Sequence, residues 1–237
     1  MERIHFNIIN STNTYLKENY EKLNNLTLVS ADHQTNGKGR MGRTWLDSDD
    51  FLFSILVKEN LERVTDYSLL IGTTLYKVLS NYVDNLSIKW PNDLLVCDKK
   101  LVGILTEAVT KDKTECVIVG CGINTNSSVF DDEIKNKATS LFLETHRKVD
   151  KDELCQMIMD QFEKDYKMYK KNPKSFLEVV NNHFYLKEKE VSFTYCAKNY
   201  QGIVKGIDND GNLLVLVNDE ILTISSGEVT LTHIYRR

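Results

Sequence analysis

The sequence predicts an α/β chain in two parts, a mixed sheet backed by helices and then a small all-β barrel. Three observations carry this. Apolar runs of strand length alternate with stretches of helical periodicity up to about residue 185. From about Lys189 the texture changes to five short strands separated by turn residues such as Asp208-Asn209-Asp210-Gly211 and Asn218-Asp219. Finally, 237 residues with 41% hydrophobic content supply a sizeable core and leave room for a second, smaller unit. The expected division is 1–186 and 187–237.

The elements follow in order. Arg3 to Ile9 alternates like a strand, and the hydroxyls of Ser11-Thr12-Asn13-Thr14 can cap a helix running to about Leu23. Thr27 to His33 reads as a second strand and Phe51 to Val57 as a third. A helix from about Thr65 to Val83 would bury Leu69, Leu70, Leu75, Val78 and Leu79 as one stripe. Leu86 to Lys89 is a short strand stopped at Trp90-Pro91, because Pro91 fixes its own φ and pushes Trp90 toward extended geometry. Asp98-Lys99-Lys100 reads as a hairpin turn joining Leu94–Cys97 to Leu101–Glu107. Glu115 to Val119 adds a strand before Gly120-Cys121-Gly122-Ile123-Asn124. Residues 125–149 read as polar and irregular, 150–169 as an amphipathic helix, and another helix is expected after Pro173. The barrel strands are expected at 190–195, 200–207, 213–217, 221–225 and 229–232.

A net charge of −4, from 34 acids and 30 bases, argues against broad attraction to nucleic acid. Five cysteines (97, 116, 121, 155, 196) form no Cys-x-x-Cys pair and fit free thiols in a reducing cytoplasm. The five dispersed histidines show no zinc spacing, and Asp131-Asp132-Glu133 reads as a solvated turn. The N-terminus carries no apolar signal core, and no run of 18 apolar residues follows, so neither export nor membrane spanning is expected.

Gln34-Thr35-Asn36-Gly37-Lys38-Gly39-Arg40-Met41-Gly42-Arg43-Thr44-Trp45 concentrates three glycines and three cations in seven residues. Glycines let backbone N–H groups approach a ligand closely while the cations supply charge, the requirements of an anion-handling loop. An ordinary exposed loop is the alternative. The literal Gly-x-Gly-x-x-Gly pattern also matches dinucleotide-binding and kinase loops, but a strand-like run follows where the first needs a helix. No His-Arg-Asp, Asp-Phe-Gly or Gly-Lys-Ser/Thr segment exists for the second or for a P-loop.

With Lys89-Trp90-Pro91-Asn92-Asp93 added, the chain resembles the biotin-protein ligases. The likeness runs through Ser11-Thr12-Asn13, Gln34 to Arg43 and Trp45, residues 89–93, Lys100-Leu101-Val102-Gly103-Ile104-Leu105, Gly120-x-Gly122-Ile123-Asn124 and Gly227-Glu228-Val229, in the family's order and across essentially the whole chain. Each block alone is weak, and the five central blocks together are specific. The resemblance implies a class II synthetase-like catalytic domain with an SH3-like C-terminal barrel. It further implies a cytoplasmic enzyme that makes biotinyl-5′-adenylate from biotin and ATP, with Mg²⁺, and transfers biotin to one lysine of a biotin carboxyl carrier domain.

By the same resemblance Arg40, Arg43 and Lys100 surround the carboxylate and phosphates, Lys89 helps hold pyrophosphate, and Asp93 lies near the reacting centre. Ser11, Thr12 and Gln34 are placed at the ureido group, with Gly37, Lys38, Gly103, Leu105, Gly120 and Gly122 lining the biotin pocket. Trp45, Asn92 and Asn124 face the adenylate. Read from the residues alone, Ser11 or Thr12 can simply cap a helix, Leu105 can be core, and Lys99-Lys100 can be a charged turn. No protein ligand for a metal is assigned. Loop 35–50 is the expected lid over the adenylate and 125–137 a second one.

Lys38 stands where relatives more often have arginine, and Asp50 where many have asparagine. The resemblance implies a monofunctional form without an N-terminal DNA-binding domain, as monomer or homodimer. A lipoate-protein ligase or octanoyl transferase is the alternative enzyme, and a non-catalytic biotin sensor the alternative of another class; the retained cations disfavour the sensor.

Overall fold

Phe51–Val57 carries a single polar residue, Ser54, and such a run suits a strand covered on both faces. The structure, a computed structural model, describes residues 1–45, 48–195, 198–225 and, for the backbone, 229–231. Cys196, His233 and the Gly227-Glu228 part of the last motif lie outside the described residues. Phe51–Val57 is β3, buried along its whole length in the interior of a seven-stranded sheet. The other strands are β1 (Glu2–Ile9), β2 (Thr27–Gln34), β4 (Leu86–Lys89), β5 (Asp93–Val96), β6 (Lys99–Thr110) and β7 (Thr114–Ile123). Their spatial order is β1-β2-β3-β7-β6-β5-β4, parallel between β1 and β2 and antiparallel elsewhere, so the sheet is mixed as expected.

Alternation along β3 assigns its two faces. Phe51, Phe53, Ile55 and Val57 join the large cluster containing α2 (Asp66–Leu79), whereas Leu56 packs with Leu16 of α1 (Thr12–Asn19). The expected stripe Leu69, Leu70, Leu75, Val78 and Leu79 is buried. The long helix α4 (Lys151–Lys171) packs on α2, and α5 (Leu177–Asn182) follows after Pro173. Asp150 caps α4 by accepting from the N–H groups of Asp152 and Glu153 at 2.8 and 3.1 Å.

Beyond Lys189 the strands are β8 (Glu190–Tyr195), β9 (Lys198–Ile207), β10 (Leu213–Val217), β11 (Glu220–Ile224) and β12 (Val229–Leu231). They form a separate antiparallel sheet in the order β11-β10-β9-β8-β12. Its apolar face shares one cluster with α2, α4 and α5, and Trp90 Nε1 donates to Gly211 O in the β9–β10 turn at 3.0 Å. Among the described residues no helix is long and apolar enough to cross a membrane.

Several boundaries differ from the sequence reading: the hairpin turn is Cys97-Asp98, so that Lys99 and Lys100 already belong to β6, and α2 ends at Leu79 rather than near Val83. β7 continues through Gly120-Cys121-Gly122 to Ile123, because β3 and β6 bond it on both sides. The first helix gives way at Tyr20 to a 3₁₀ turn, Tyr20–Lys22. The stretch expected to be irregular contains α3 (Leu141–Thr145), capped by Ser140 Oγ accepting from Leu143 N–H at 3.0 Å and ended by His146 in the left-handed region. Five residues are too few to show helical periodicity.

Candidate active site

The register of four antiparallel strands builds the floor of a cavity. Leu52, Gly122, Gly103 and Asp93 are successive cross-strand partners, and Lys89 continues the row onto β4. Ser54, Gly120 and Leu105 form the adjacent row. Cross-strand partners project to the same face, here the face that also carries α1. The cavity measures about 150 Å³ and is lined by the N-terminus of α1, the glycine-cation loop, and β5 to β7.

At one end lies a buried polar network. Thr12 N–H and Oγ1 both donate to Gln34 Oε1, at 2.7 and 3.0 Å, and Thr12 Oγ1 lies 2.6 Å from Ser54 Oγ. Ser54 Oγ donates to Asn13 Oδ1 at 2.5 Å, and Asn13 Nδ2 donates to Glu107 Oε2 at 2.8 Å. Lys17 completes the chain on Glu107 Oε1 at 2.5 Å. Burial pushes the Glu107 carboxyl up, but the bonds from Lys17 and Asn13 outweigh it and hold the group below its usual range. Ser11, 2% exposed, caps α1 by accepting from Thr14 N–H at 3.5 Å. Gly120 is required here, since a Cβ would fall on Asn13 Oδ1.

The other end is cationic. Lys38, Arg40, Arg43 and Lys100 line the cavity against one carboxylate, Asp93. Arg40 Nη1 donates to Asn92 Oδ1 at 2.8 Å, and Asn92 Nδ2 donates to Ile104 O at 3.0 Å. Lys100 Nζ pairs with Asp93 Oδ1 at 2.8 Å. A bulge between β5 and β6 controls this placement: Leu94 pairs with Val102 but Leu95 with Lys100. The extra residue, Leu101, and Val102 are both fully buried in the core cluster, so Lys100 returns to the cavity side.

The glycine-cation loop is folded over the cavity. Gly39 N–H donates to Arg43 O at 2.7 Å, and Trp45 N–H donates to Gly37 O at 3.0 Å. The Trp45 indole packs against the paired Gly103 and Gly122: a Cβ at Gly103 would sit 2.5 Å from Trp45 Cζ3, and one at Gly122 would sit 2.4 Å from Trp45 Cε2. Lys100 Nζ stands 5.5 Å from the centre of that ring. Trp45 Nε1 is buried with no hydrogen-bond partner among the described residues.

Of the sequence-derived candidates, the structure gathers Ser11, Thr12, Gln34, Lys38, Arg40, Arg43, Trp45, Asn92, Asp93, Lys100, Gly103, Leu105, Gly120 and Gly122 around this one cavity. Three stand just outside its lining. Gly37 packs on the Trp45 backbone, and Lys89 ends the floor row one strand beyond Asp93. Asn124 directs its amide to the carbonyls of Lys100 and Thr139, at 3.2 and 2.9 Å, bracing the strand that carries Lys100. Sequence reasoning missed Asn13, Ser54 and Glu107. Asn13 lay within a quoted motif, but Ser54 and Glu107 enter only through strand register. Burial pushes the Cys121 thiol far up, so it stays an inert packing group at neutral pH.

Where loop 48–50 rejoins the sheet, Asp50 is 1% exposed and accepts from Ser127 Oγ at 2.6 Å and Thr125 N–H at 3.2 Å. Burial dominates and pushes its carboxyl up to about 6 despite these bonds. The contact ties the end of the first loop to the start of the second, whose Lys137 O accepts from Lys100 N–H at 2.8 Å.

Residues 5–124, half of the chain, match the biotin/lipoate A/B protein ligase family, and residues 188–231 match the biotin protein ligase C-terminal domain. A bifunctional ligase/repressor BirA of Bacillus subtilis is 32% identical over 219 residues, covering 86% of this chain and 66% of the relative's length, just under two thirds. A biotin–[acetyl-CoA-carboxylase] ligase of Mycobacterium tuberculosis is 24% identical, with 85% and 77% covered. The biotin protein ligase of Aquifex aeolicus in complex with biotin and ATP superposes with a TM-score of 0.88 at 30% identity, covering 97% of this chain and 98% of that one. With the matched segment spanning the strands and loops that form the cavity, the chain belongs to the biotin/lipoate A/B protein ligase family.

Proposed function

We propose that this cavity activates the carboxylate of biotin with ATP and passes the biotinyl group to a lysine of a carrier domain. The observation that carries the reading is the joining, in one cavity, of a neutral buried network at Thr12, Gln34 and Ser54 to four cations around a single carboxylate. The network suits an uncharged head with paired donors and acceptors. The cations suit a reaction between two anions. A carboxylate and an α-phosphate about 4 Å apart repel by roughly 4 kcal/mol at an effective dielectric near 20. Arg40, Arg43 and Lys100 offset that repulsion, most of all in the transition state.

In the first step a biotin carboxylate oxygen attacks the α-phosphorus, and the bond to pyrophosphate breaks. Lys89, at the end of the floor row, is assigned to the leaving group. In the second step a lysine amine in its neutral form attacks the acyl carbon, the anhydride C–O bond breaks with AMP departing, and the nitrogen gives up one proton to solvent. Magnesium is expected as the companion of ATP. Asp93 is the one carboxylate in the lining, and among the described residues no three metal-ligating side chains group together, which suits an ion held mainly by phosphate oxygens.

With Trp45 on its floor, the cavity of about 150 Å³ is smaller than the ~300–1,000 Å³ of ordinary ligand sites. Biotin and ATP therefore enter with the loop lifted, and the loop closes to keep water from the mixed anhydride.

The test is incubation with biotin, MgATP and a biotin carboxyl carrier domain, with lipoate in parallel, following pyrophosphate and carrier mass together. A biotin-sized gain on one lysine, absent with lipoate, is expected. A gain with lipoate instead would move the chain to the lipoate branch of the family, and no pyrophosphate with either acid would leave a binding protein.

A further inference from the structure

A second cavity of about 310 Å³ shares Arg40, Asn92, Ile104 and Leu105 with the first but opens on the α2 side of β6. Leu69, Trp90 and Ile104 give it apolar walls, and the β9–β10 turn at Asp210 to Asn212 closes it from the C-terminal sheet. Arg63 holds that turn, with Nη1 at 2.7 Å from Asp210 Oδ1 and Nη2 at 2.7 Å from Asp210 O.

Two of the lining residues each carry a buried polar atom without a partner among the described residues, Asp66 Oδ1 and Thr106 Oγ1. Asp66 is 1% exposed. Its other oxygen is fully engaged, 2.9 Å from Arg63 Nε and accepting from Tyr169 OH at 3.1 Å. A buried carboxylate oxygen and a buried hydroxyl left unmatched in the walls of one cavity are each costly unless a bound group supplies the missing hydrogen bonds. The ligand these walls fit has an aliphatic body and a terminal cationic donor. A phosphate suits the site poorly, because Asp66 and Asp210 both present negative charge to it, and Arg40, the one lining cation, already bonds Asn92.

We propose that this cavity is the waiting position of the acceptor lysine. The methylenes lie along Leu69, Trp90 and Ile104 while the ammonium is held by Asp66 Oδ1 and Thr106 Oγ1. From there the side chain passes the shared wall at Arg40 and Asn92 to reach the adenylate. The occupant is thus a lysine-bearing turn of a partner protein, and the C-terminal sheet contributes one wall of its entrance. This inference rests on the ligase reading above.

The test separates the half-reactions in the full chain. Thr106→Val removes the unmatched hydroxyl without changing the volume, so the fold is expected to melt at or above the wild-type temperature. Biotin-dependent pyrophosphate release should match wild type, while transfer from preformed biotinyl-adenylate should show a KM for the carrier domain raised about tenfold with kcat retained, the scale of one lost bond to a charged group. Asp66→Asn should act in the same direction. If Asp66→Asn fails to fold, Thr106→Val decides alone. Unchanged transfer in Thr106→Val would mean the cavity holds only solvent, and a loss in pyrophosphate release equal to that in transfer would give it to the nucleotide; either overturns the proposal. A wild-type chain that releases no pyrophosphate at all would instead remove the ligase reading itself.

Discussion

The two ends of the first cavity are built in opposite ways. The neutral end is buried and already bonded: Ser11, Thr12, Asn13 and Ser54 are each at most 4% exposed, Ser11 caps α1, and the other three sit with Gln34 in a chain of hydrogen bonds held between α1, β2 and β3. The cationic end is carried partly on an exposed loop, where Lys38 and Arg43 face solvent and only Lys100 stands on a strand. A preorganised end gives selectivity because its geometry is fixed before binding. A loop-borne end gives charge that can be withdrawn for entry and returned for chemistry.

Substitutions at the two ends should therefore separate binding from chemistry. Lys100→Ala is expected to have the largest effect, lowering biotin-dependent pyrophosphate release by about 10²–10³-fold, as for loss of one transition-state donor. Calorimetric biotin affinity should fall far less; an equal fall would place Lys100 in ground-state binding.

Asp50 joins the two regimes, and its effect should appear in stability. Its folded carboxyl titrates near 6 against an ordinary value of 3.8, so the fold favours the protonated form. Stability is then lost as pH rises from about 4 to 6 and stays lost above, by at most about 3 kcal/mol at 1.36 kcal/mol per unit. Asp50→Asn should melt higher than wild type at pH 7.5 and equally at pH 4. A variant that melts lower at pH 7.5 would show that the bonds from Ser127 and Thr125 need the full charge.

Thr12→Val removes a hydroxyl from the buried network and leaves Gln34 and Ser54 short of a partner, at a cost of about 1–2 kcal/mol. The loss should appear in biotin affinity and melting temperature alike, with the rate of adenylation at saturating biotin little changed. The smallest thermodynamic change is expected for Arg40→Gly. Loss of the bond to Asn92 and of one phosphate partner should weaken retention of the adenylate by about 1 kcal/mol. Its readout is labelling of bystander lysines on an unrelated protein, and wild-type selectivity in this variant would show that loop closure does not depend on Arg40.

Much of this organisation was legible in the sequence because it is local. Helical periodicity set α2 and α4 within a few residues, and the turns of Asp208 to Gly211 and Asn218-Asp219 set the C-terminal strands nearly to the residue. The clustered glycines and cations marked the loop, since no packing argument explains so much charge in so short a stretch. What the tertiary structure alone decided is where distant residues meet. The row Leu52, Gly122, Gly103, Asp93, Lys89 is a consequence of register across five strands, which no local pattern encodes. The bulge at Leu101 reverses the side on which strict alternation would put Lys100, and the bond from Ser54 to Asn13 joins residues 41 positions apart. Sequence fixes elements through the geometry of neighbours along the chain, whereas a site is assembled by contacts between strands whose relative slip is set only when the whole sheet is packed.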